Sequence, residues 1–170
     1  NKTTASDRPT PPPPATYAEN LTCCVCMDEL QVDNSSFTRL TCCGKAMHDH
    51  CAERVQKSKM SEALKSRCPE CRQKVPTSEK EAIKQVRVWV DKGKAWAQTS
   101  LANNYKFGVG VLQSYEDAIN LLNKAIKQGD PNAMFQLATM YECGEAVAKS
   151  SDQAAELYAL AANQGHAAAQ

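Results

Sequence analysis

Eight of the nine cysteines lie in one short segment, in tight pairs joined by a histidine, and this spacing is typical of metal ligands. Structural zinc takes four soft or borderline ligands in a tetrahedron, with thiolate sulfur at about 2.3 Å and imidazole nitrogen at about 2.0 Å. One tight turn can supply two such ligands, so four pairs supply two complete sites. The pairs are Cys23 with Cys26, Cys42 with Cys43, His48 with Cys51, and Cys68 with Cys71. The sequence therefore predicts two zinc ions.

Disulfide bonding is the alternative use of so many cysteines. Nine is an odd number, and no hydrophobic secretion signal precedes the cluster. Disulfide frameworks belong to oxidising compartments, whereas clustered cysteines in a reducing compartment serve metal or redox chemistry. We therefore expect free thiols that bind metal, in an intracellular protein of the cytoplasm or nucleus.

The order of the eight ligands resembles that of the RING finger, a zinc module whose ligand pairs interleave. In that family the first and third pairs share one ion, and the second and fourth pairs share the other. The resemblance implies a small zinc-stabilised α+β module over residues 20–75, held together by metal because so short a segment cannot build a large core. The first zinc would be bound by Cys23, Cys26, His48 and Cys51, and the second by Cys42, Cys43, Cys68 and Cys71.

The second ligand pair departs from the common RING pattern. Lys45 falls where most members have a histidine, and a charged lysine cannot bind a metal. Cys42 beside Cys43 would restore the missing ligand. The alternative is that one of these two cysteines pairs with His50.

Three further residues of the same types are interpreted without chemistry. Cys24 lies inside the first Cys-x2-Cys turn and is interpreted as a spectator thiol. Cys143 lies far from the cluster and is expected to be a small packing residue. His166 follows Gly165, and we expect it to be a solvated surface residue.

A zinc ion with four protein ligands has no open position for water, so the pattern favours recognition over hydrolysis. RING fingers commonly act as ubiquitin ligases that dock a ubiquitin-charged conjugating enzyme without forming a covalent ligase intermediate. The resemblance therefore implies two partners, a ubiquitin-conjugating enzyme and a protein substrate. It also implies three docking residues: Val25 as an apolar contact, Pro69 as a loop-shaping residue, and Arg72 as a hydrogen-bond donor to the docked pair.

Two other functions stay open at the level of sequence. Val55 stands where many active members carry a tryptophan, so the chain could be a non-catalytic interaction scaffold with a degenerate RING. The ligand order also occurs in PHD fingers, which read histone tails. Those fingers carry an aromatic residue two positions before the seventh ligand, where this chain has Ser66. The sequence does not decide whether the chain is an enzyme.

The second half of the chain repeats itself every 36 residues. Examples are Ser78, Ser114 and Ser150, then Gly93, Gly129 and Gly165, then Ala97, Ala133 and Ala169. Periods of this size are typical of stacked helical pairs, which form an all-α solenoid. We expect a first helix over about 97–105 or 133–141 and a second over about 115–128 or 151–164 in each copy.

The repeated pattern resembles the Sel-1-like repeat, a relative of the tetratricopeptide repeat that serves as a protein-interaction scaffold. Two stretches carry the resemblance: Tyr-x-x-Gly-x-Gly-Val at 105–111 and Ala…Gly-Asp-x-x-Ala at 125–133. Ala146 replaces the glycine found at Gly110, so we expect that turn to differ slightly. The predicted divisions are a linker helix or partial repeat at 76–96, repeats at 97–132 and 133–168, and the start of a further repeat at 169–170.

Composition limits the remaining possibilities. The formal net charge is +1, which gives no electrostatic indication of a nucleic-acid partner. No apolar run approaches the roughly 20 residues that span a bilayer. Residues 1–19 are rich in proline and predict a disordered segment. Because the sequence begins at Asn1 rather than methionine, we expect it to be part of a longer protein.

Overall fold

The structure, a computed structural model, describes residues 22–30 and 37–169. The prediction of a disordered segment at 1–19 lies outside these residues. Within them, two short strands and two short helices are followed by five longer helices and a 3-10 turn. The elements are β1 (Phe37–Arg39), β2 (Ala46–His48), α1 (Asp49–Lys57), α2 (Glu62–Lys65), α3 (Glu79–Asp91), α4 (Ala95–Phe107), α5 (Tyr115–Ile126), α6 (Pro131–Cys143), α7 (Ser151–Asn163) and a 3-10 helix (Ala167–Ala169).

The cysteine-rich segment forms a small α+β unit, which we call the cysteine module. Strands β1 and β2 are antiparallel, with Phe37 opposite His48 and Arg39 opposite Ala46. Helix α1 follows β2 directly, and the chain then returns through α2 to the last cysteine pair. Among the described residues of the module, the buried core is small and contains Cys23, Leu30, Leu40, Ala46, Met47, Cys51 and Cys68.

Side-chain hydrogen bonds cap the start of helix α3. The Ser78 side chain accepts a hydrogen bond from the backbone N–H of Glu81, which satisfies one free donor of the first turn. The Glu81 carboxylate reaches back to the N–H of Thr77, one residue ahead of the cap. Gly93 follows the helix with φ +73°, a left-handed conformation that ends it at little cost.

Helices α4 and α5 form one antiparallel pair, and α6 and α7 form the next. Each first helix ends at a glycine in the left-handed conformation, Gly108 or Gly144. Each second helix begins at a serine that caps it, Ser114 or Ser150. One continuous core joins both pairs to α3, and its fully buried members include Ala97, Ala118, Leu122, Ala125, Ala133, Met134, Ala138, Met140 and Ala161. The expected helical pairs are therefore present.

Ala146 does not change the turn that contains it. Its φ is +58°, close to the +70° of Gly110 at the equivalent position, so the expected difference between the two turns is not found. Both turns have the same backbone hydrogen bonds, which run from Glu145 N–H to the Met140 carbonyl and from Ser150 N–H to the Tyr141 carbonyl in this copy, and Ala146 is exposed. The left-handed conformation costs Ala146 about 1–2 kcal/mol, because its Cβ atom lies close to the following carbonyl oxygen.

Two expectations about single residues were wrong. His166 is 6% exposed, and its ring stacks on Phe135 with the centroids 4.5 Å apart, so it is a core residue rather than a solvated one. Position 166 is equivalent by the repeat to Asp130, which is also buried. Its polarity therefore did not indicate exposure. Cys143 is exposed at the end of α6 and does not serve as a packing residue.

Across the part of the chain that the structure describes, every helix is too short or too polar to cross a bilayer.

Candidate metal centre

The eight predicted ligands form two groups in space. Within each group, the potential ligand atoms all lie within 4.8 Å of one another. The groups are crossed along the chain, since the first and third pairs meet in one and the second and fourth pairs meet in the other. The first group is Cys23, Cys26, His48 and Cys51, and the second group is Cys42, Cys43, Cys68 and Cys71.

The separations within the groups match those of a tetrahedral zinc site. Ligands at the usual zinc distances place two sulfurs about 3.8 Å apart, and a sulfur and a nitrogen about 3.5 Å apart. The Sγ atoms of Cys43 and Cys68 are 3.7 Å apart, and those of Cys42 and Cys71 are 3.5 Å apart. In the first group, the Cys26 Sγ lies 3.4 Å from His48 Nδ1. The arrangement and the donor set therefore fit zinc.

The same separations exclude disulfides. A disulfide places its sulfurs about 2.05 Å apart, and all nine cysteines of the chain are free thiols. The predicted disulfide alternative therefore finds no support.

Two turns of the same design supply one cysteine pair to each group. The backbone N–H of Met27 donates to the Cys23 carbonyl, and the N–H of Arg72 donates to the Cys68 carbonyl. Both Met27 and Arg72 adopt a left-handed φ, 68° and 61° respectively. This turn points the two sulfurs of a Cys-x2-Cys pair to the same side, which explains why the spacing is suited to metal.

The first cysteine of each turn has a lowered pKa. Burial raises the pKa of Cys23, but hydrogen bonds from the backbone N–H groups of Cys26, His48 and Val25 outweigh burial and lower the pKa to about 6. The pKa of Cys68 is also lowered, because the N–H groups of Cys71 and Glu70 outweigh burial. The N–H of Cys71 lies 3.4 Å from the Cys68 sulfur. Cys23 is therefore ready to bind a cation at neutral pH, and Cys68 gives up its proton more readily than an ordinary thiol.

Three other thiols, those of Cys42, Cys43 and Cys51, have raised pKa values. Burial and hydrogen bonds to neighbouring sulfurs raise the pKa of Cys42. Burial and the nearby Cys68 sulfur raise the pKa of Cys43 to about 11. Desolvation raises the pKa of Cys51 as well. The first group has three sulfurs and the second has four. Because that many thiolates would repel one another at this distance, a divalent cation is the natural counter-charge for each group.

The alternative ligand His50 lies close to the first group in the structure. His50 is exposed, stacks on His48 at 4.8 Å, and has its Nε2 3.3 Å from the Cys51 sulfur. It therefore lies beside the first group and does not pair with Cys42 or Cys43. Cys24 belongs to neither group, in agreement with its interpretation as a spectator.

The three predicted docking residues are accessible to different degrees. Val25 is 38% exposed on the first Cys-x2-Cys turn, and Arg72 is exposed directly after the last one. Pro69 is half-buried inside that last turn. Their role in docking stays a prediction.

Sequence reasoning missed the contact between the cysteine module and the helices. Trp89 of α3 donates from Nε1 to the Thr41 carbonyl at 2.8 Å, directly beside the candidate ligand Cys42. Trp96 of α4 lies against Trp89, with ring centroids 5.9 Å apart. The repeat offered a signal, because the positions equivalent to Trp89 are Ala125 and Ala161. A tryptophan at a position for alanine indicates a contact that the other copies do not make.

The stacked helical pairs define the second half of the chain as an all-helical repeat array of the solenoid class. The Sel1 repeat family matches residues 97–130 and 131–166. The second half therefore contains two Sel1 repeats, and the prediction for this part of the chain is confirmed. The family match does not extend to the cysteine module.

Solved structures agree with this assignment. The Sel1 repeat protein from Oxalobacter formigenes is 32% identical with a TM-score of 0.54, over 56% of this chain and 39% of that one. The protein c5321, a protective antigen of uropathogenic Escherichia coli strains with the SLR fold, is 32% identical with a TM-score of 0.52, over 56% of this chain and 20% of that one. This chain thus spans less than half the length of either structure. No curated protein is significantly similar to it.

Proposed function

We propose that the chain binds two zinc ions and acts as a RING-type ubiquitin ligase or ligase subunit, with the Sel1 repeats holding the protein to be modified. Sel1 repeats indicate a protein-interaction scaffold, which is the part of this function that the comparisons support. The zinc ions and the ligase activity are the proposed part.

The observation that carries the proposal is the crossed grouping of the ligand pairs. Consecutive pairs forming one site each would make two independent zinc loops. Here the second pair, Cys42 with Cys43, lies in the chain between the two pairs of the first group. Two ions in such an arrangement would tie four loops together and hold the two Cys-x2-Cys turns in place. A small module could then present a fixed surface despite its minimal core.

The chemistry of such a surface is positioning. Both groups have four protein ligands, so bound zinc would be structural and would leave no site for substrate. A docked conjugating enzyme would carry the reactive thioester itself. Val25 would supply the apolar contact, and Arg72 would donate hydrogen bonds that hold the thioester-linked ubiquitin in a reactive orientation.

The interaction scaffold without ligase activity is the second candidate. Val55 on α1 is half-buried and offers a smaller apolar surface than a tryptophan would offer to a docked enzyme. A histone-tail reader is less well supported. Ser66, at the position of the expected aromatic residue, caps the end of α2 and is exposed, so it builds no apolar wall for a peptide.

Discharge of ubiquitin from charged conjugating enzymes tests the proposal. The zinc-loaded chain is added to a panel of ubiquitin-charged enzymes, and transfer to free lysine is followed over time. We expect acceleration with at least one enzyme, and loss of most of it in Val25→Ala and Arg72→Ala. Lys80→Ala serves as the control, because Lys80 is an exposed residue on α3.

Each other outcome identifies a different function. A chain that holds two zinc ions but accelerates discharge from no enzyme in the panel would be a scaffold. Saturable binding of an unmodified histone-tail peptide by that inactive chain would instead indicate a reader. Acceleration that persists in both docking variants would contradict the assigned docking surface.

A further inference from the structure

We propose that the loop carrying Cys42 and Cys43 is the element that fixes the cysteine module to the Sel1 repeats, so that metal in the second group holds the two halves of the chain in one orientation. We call residues 41–44 the coupling loop. This inference rests on the proposed zinc binding and adds a positioning role for Trp89 and Trp96.

Hydrogen bonds join the coupling loop to α3 at its first residue. The Thr41 carbonyl accepts from Trp89 Nε1 at 2.8 Å, and the Thr41 hydroxyl donates to the Gln85 side chain. Gln85 and Trp89 are four residues apart and therefore lie on the same face of α3. The loop is thus held by its backbone and its side chain, directly next to the ligand Cys42.

Aromatic packing joins the other end of the loop to the helices. A Cβ atom added to Gly44 would lie 3.4 Å from the ring of Trp89 and 3.5 Å from the ring of Trp96, so both rings rest against the Gly44 backbone. The Arg39 guanidinium lies 5.1 Å from the Trp96 ring centroid and donates to the Gly44 carbonyl at 3.1 Å. Both ends of the coupling loop therefore contact Trp89, and the Gly44 end also contacts Trp96.

Metal binding by the second group and the contact between the cysteine module and the repeats would depend on each other through this loop. Between its two anchored ends, the loop contains two of the four ligands of the second group, Cys42 and Cys43. Loss of the ion would free these residues and with them the Thr41 carbonyl and the Gly44 backbone. By linkage, loss of the tryptophan contact would lower the affinity of the second group for its ion by the same factor by which loss of the ion weakens that contact. The first ion has no ligand in the coupling loop.

For the proposed ligase, this coupling has a geometric consequence. A protein held on the repeats would stand at a set distance from a conjugating enzyme docked on the cysteine module. A flexible linker would spread that distance over many values and lower the effective concentration of the two partners.

Tryptophan fluorescence tests the inference with little ambiguity, because the chain has only two tryptophans and both lie at this contact. We expect zinc removal by a chelator to shift the emission to longer wavelength and to increase quenching by acrylamide. Far-ultraviolet circular dichroism should keep most of its helical signal, since α3 to α7 contain no ligand. Zinc content is measured on the same samples.

The reciprocal experiment uses substitutions in α3. We expect Trp89→Ala to speed release of one of the two zinc ions to a chelating dye by at least about fivefold, with the other ion unchanged. Val88→Ala is the matched control, because Val88 is 50% exposed on the same helix. Trp89→Phe keeps a ring but removes the hydrogen bond to Thr41, so its rate of zinc release should lie between those of Trp89→Ala and Val88→Ala.

The outcomes separate this inference from the proposed function. Two bound ions together with unchanged emission on chelation, or equal dye kinetics in Trp89→Ala and Val88→Ala, would overturn the coupling and leave zinc binding intact. A folded chain without zinc would overturn both.

Discussion

Substitution of Gly110 tests how α3 packs on the repeats. A Cβ atom at this position would lie 3.1 Å from Cβ of Glu79 and from Cγ1 of Ile83, and 3.2 Å from the backbone carbon of Glu79. These distances are too short for a helix backbone to accommodate without moving. The φ of Gly110 is also left-handed, at +70°.

We expect Gly110→Ala to lower the free energy of unfolding of the helical array by about 2–4 kcal/mol. The left-handed backbone costs about 1–2 kcal/mol, and crowding of a packed site costs about 1–3 kcal/mol. Alanine also lowers the entropy of the unfolded chain, which offsets about 0.4–1 kcal/mol of this loss. Urea unfolding, followed by far-ultraviolet circular dichroism with zinc in excess, measures the change.

Gly108 is the matched control for this experiment. It has the same φ of +70°, but its added Cβ atom would lie 3.4 Å from the Cβ of Gln113, an ordinary contact. Gly108→Ala should therefore cost only about 1 kcal/mol, from the backbone alone. The reverse change at the equivalent turn, Ala146→Gly, should stabilise the array by about 0.5–1 kcal/mol. If Gly110→Ala costs no more than Gly108→Ala, α3 does not pack against this turn.

Three further predictions concern the buried cap and the metal groups. Asp130 is 1% exposed, caps α6 through the N–H of Asn132, and accepts from Thr99 Oγ1 at 2.6 Å. Asp130→Ala should therefore lower the free energy of unfolding by about 2–4 kcal/mol in urea titrations, and Asp130→Asn by much less because it keeps an acceptor. Acidification should lower the apparent affinity for zinc, because the cation must displace protons from the thiols, and it should do so more steeply below about pH 6, where metal-free Cys23, whose pKa is about 6, also carries a proton. An apparent affinity, measured in competition with a chelating dye, that does not depend on pH would contradict thiolate ligation. Chelation at neutral pH should leave the urea midpoint of the helical array changed far less than Gly110→Ala does.

The repeats were predictable because each copy has the same capping and packing residues at the same positions. A serine before a helix and a glycine after it recur every 36 residues, and alanine recurs where helices approach closely. Such signals act within a few residues of the positions they determine. The crossed grouping of the cysteines was predictable only through the resemblance to a family. Spacing alone gives the pairs but not which pairs meet.

Long-range packing is the part that the sequence did not reveal. His166 was expected in solvent because it is polar, yet it stacks on Phe135 of α6, 31 positions earlier in the chain. The contact of Trp89 with Thr41 joins residues 48 positions apart, and no local pattern encodes it. Comparison with the repeat equivalents would have found both positions. Trp89 replaces an alanine of the other copies, and His166 is equivalent to Asp130, which is buried.

The zinc content of the purified chain tests the central claim most directly. Native mass spectrometry should show two ions bound to the chain. Cys71→Ser, which removes a ligand of the second group, should lower occupancy to one ion, whereas Cys24→Ser should keep both, because Cys24 belongs to neither group. A folded chain without zinc, or one whose cysteines are joined in disulfides, would contradict the account.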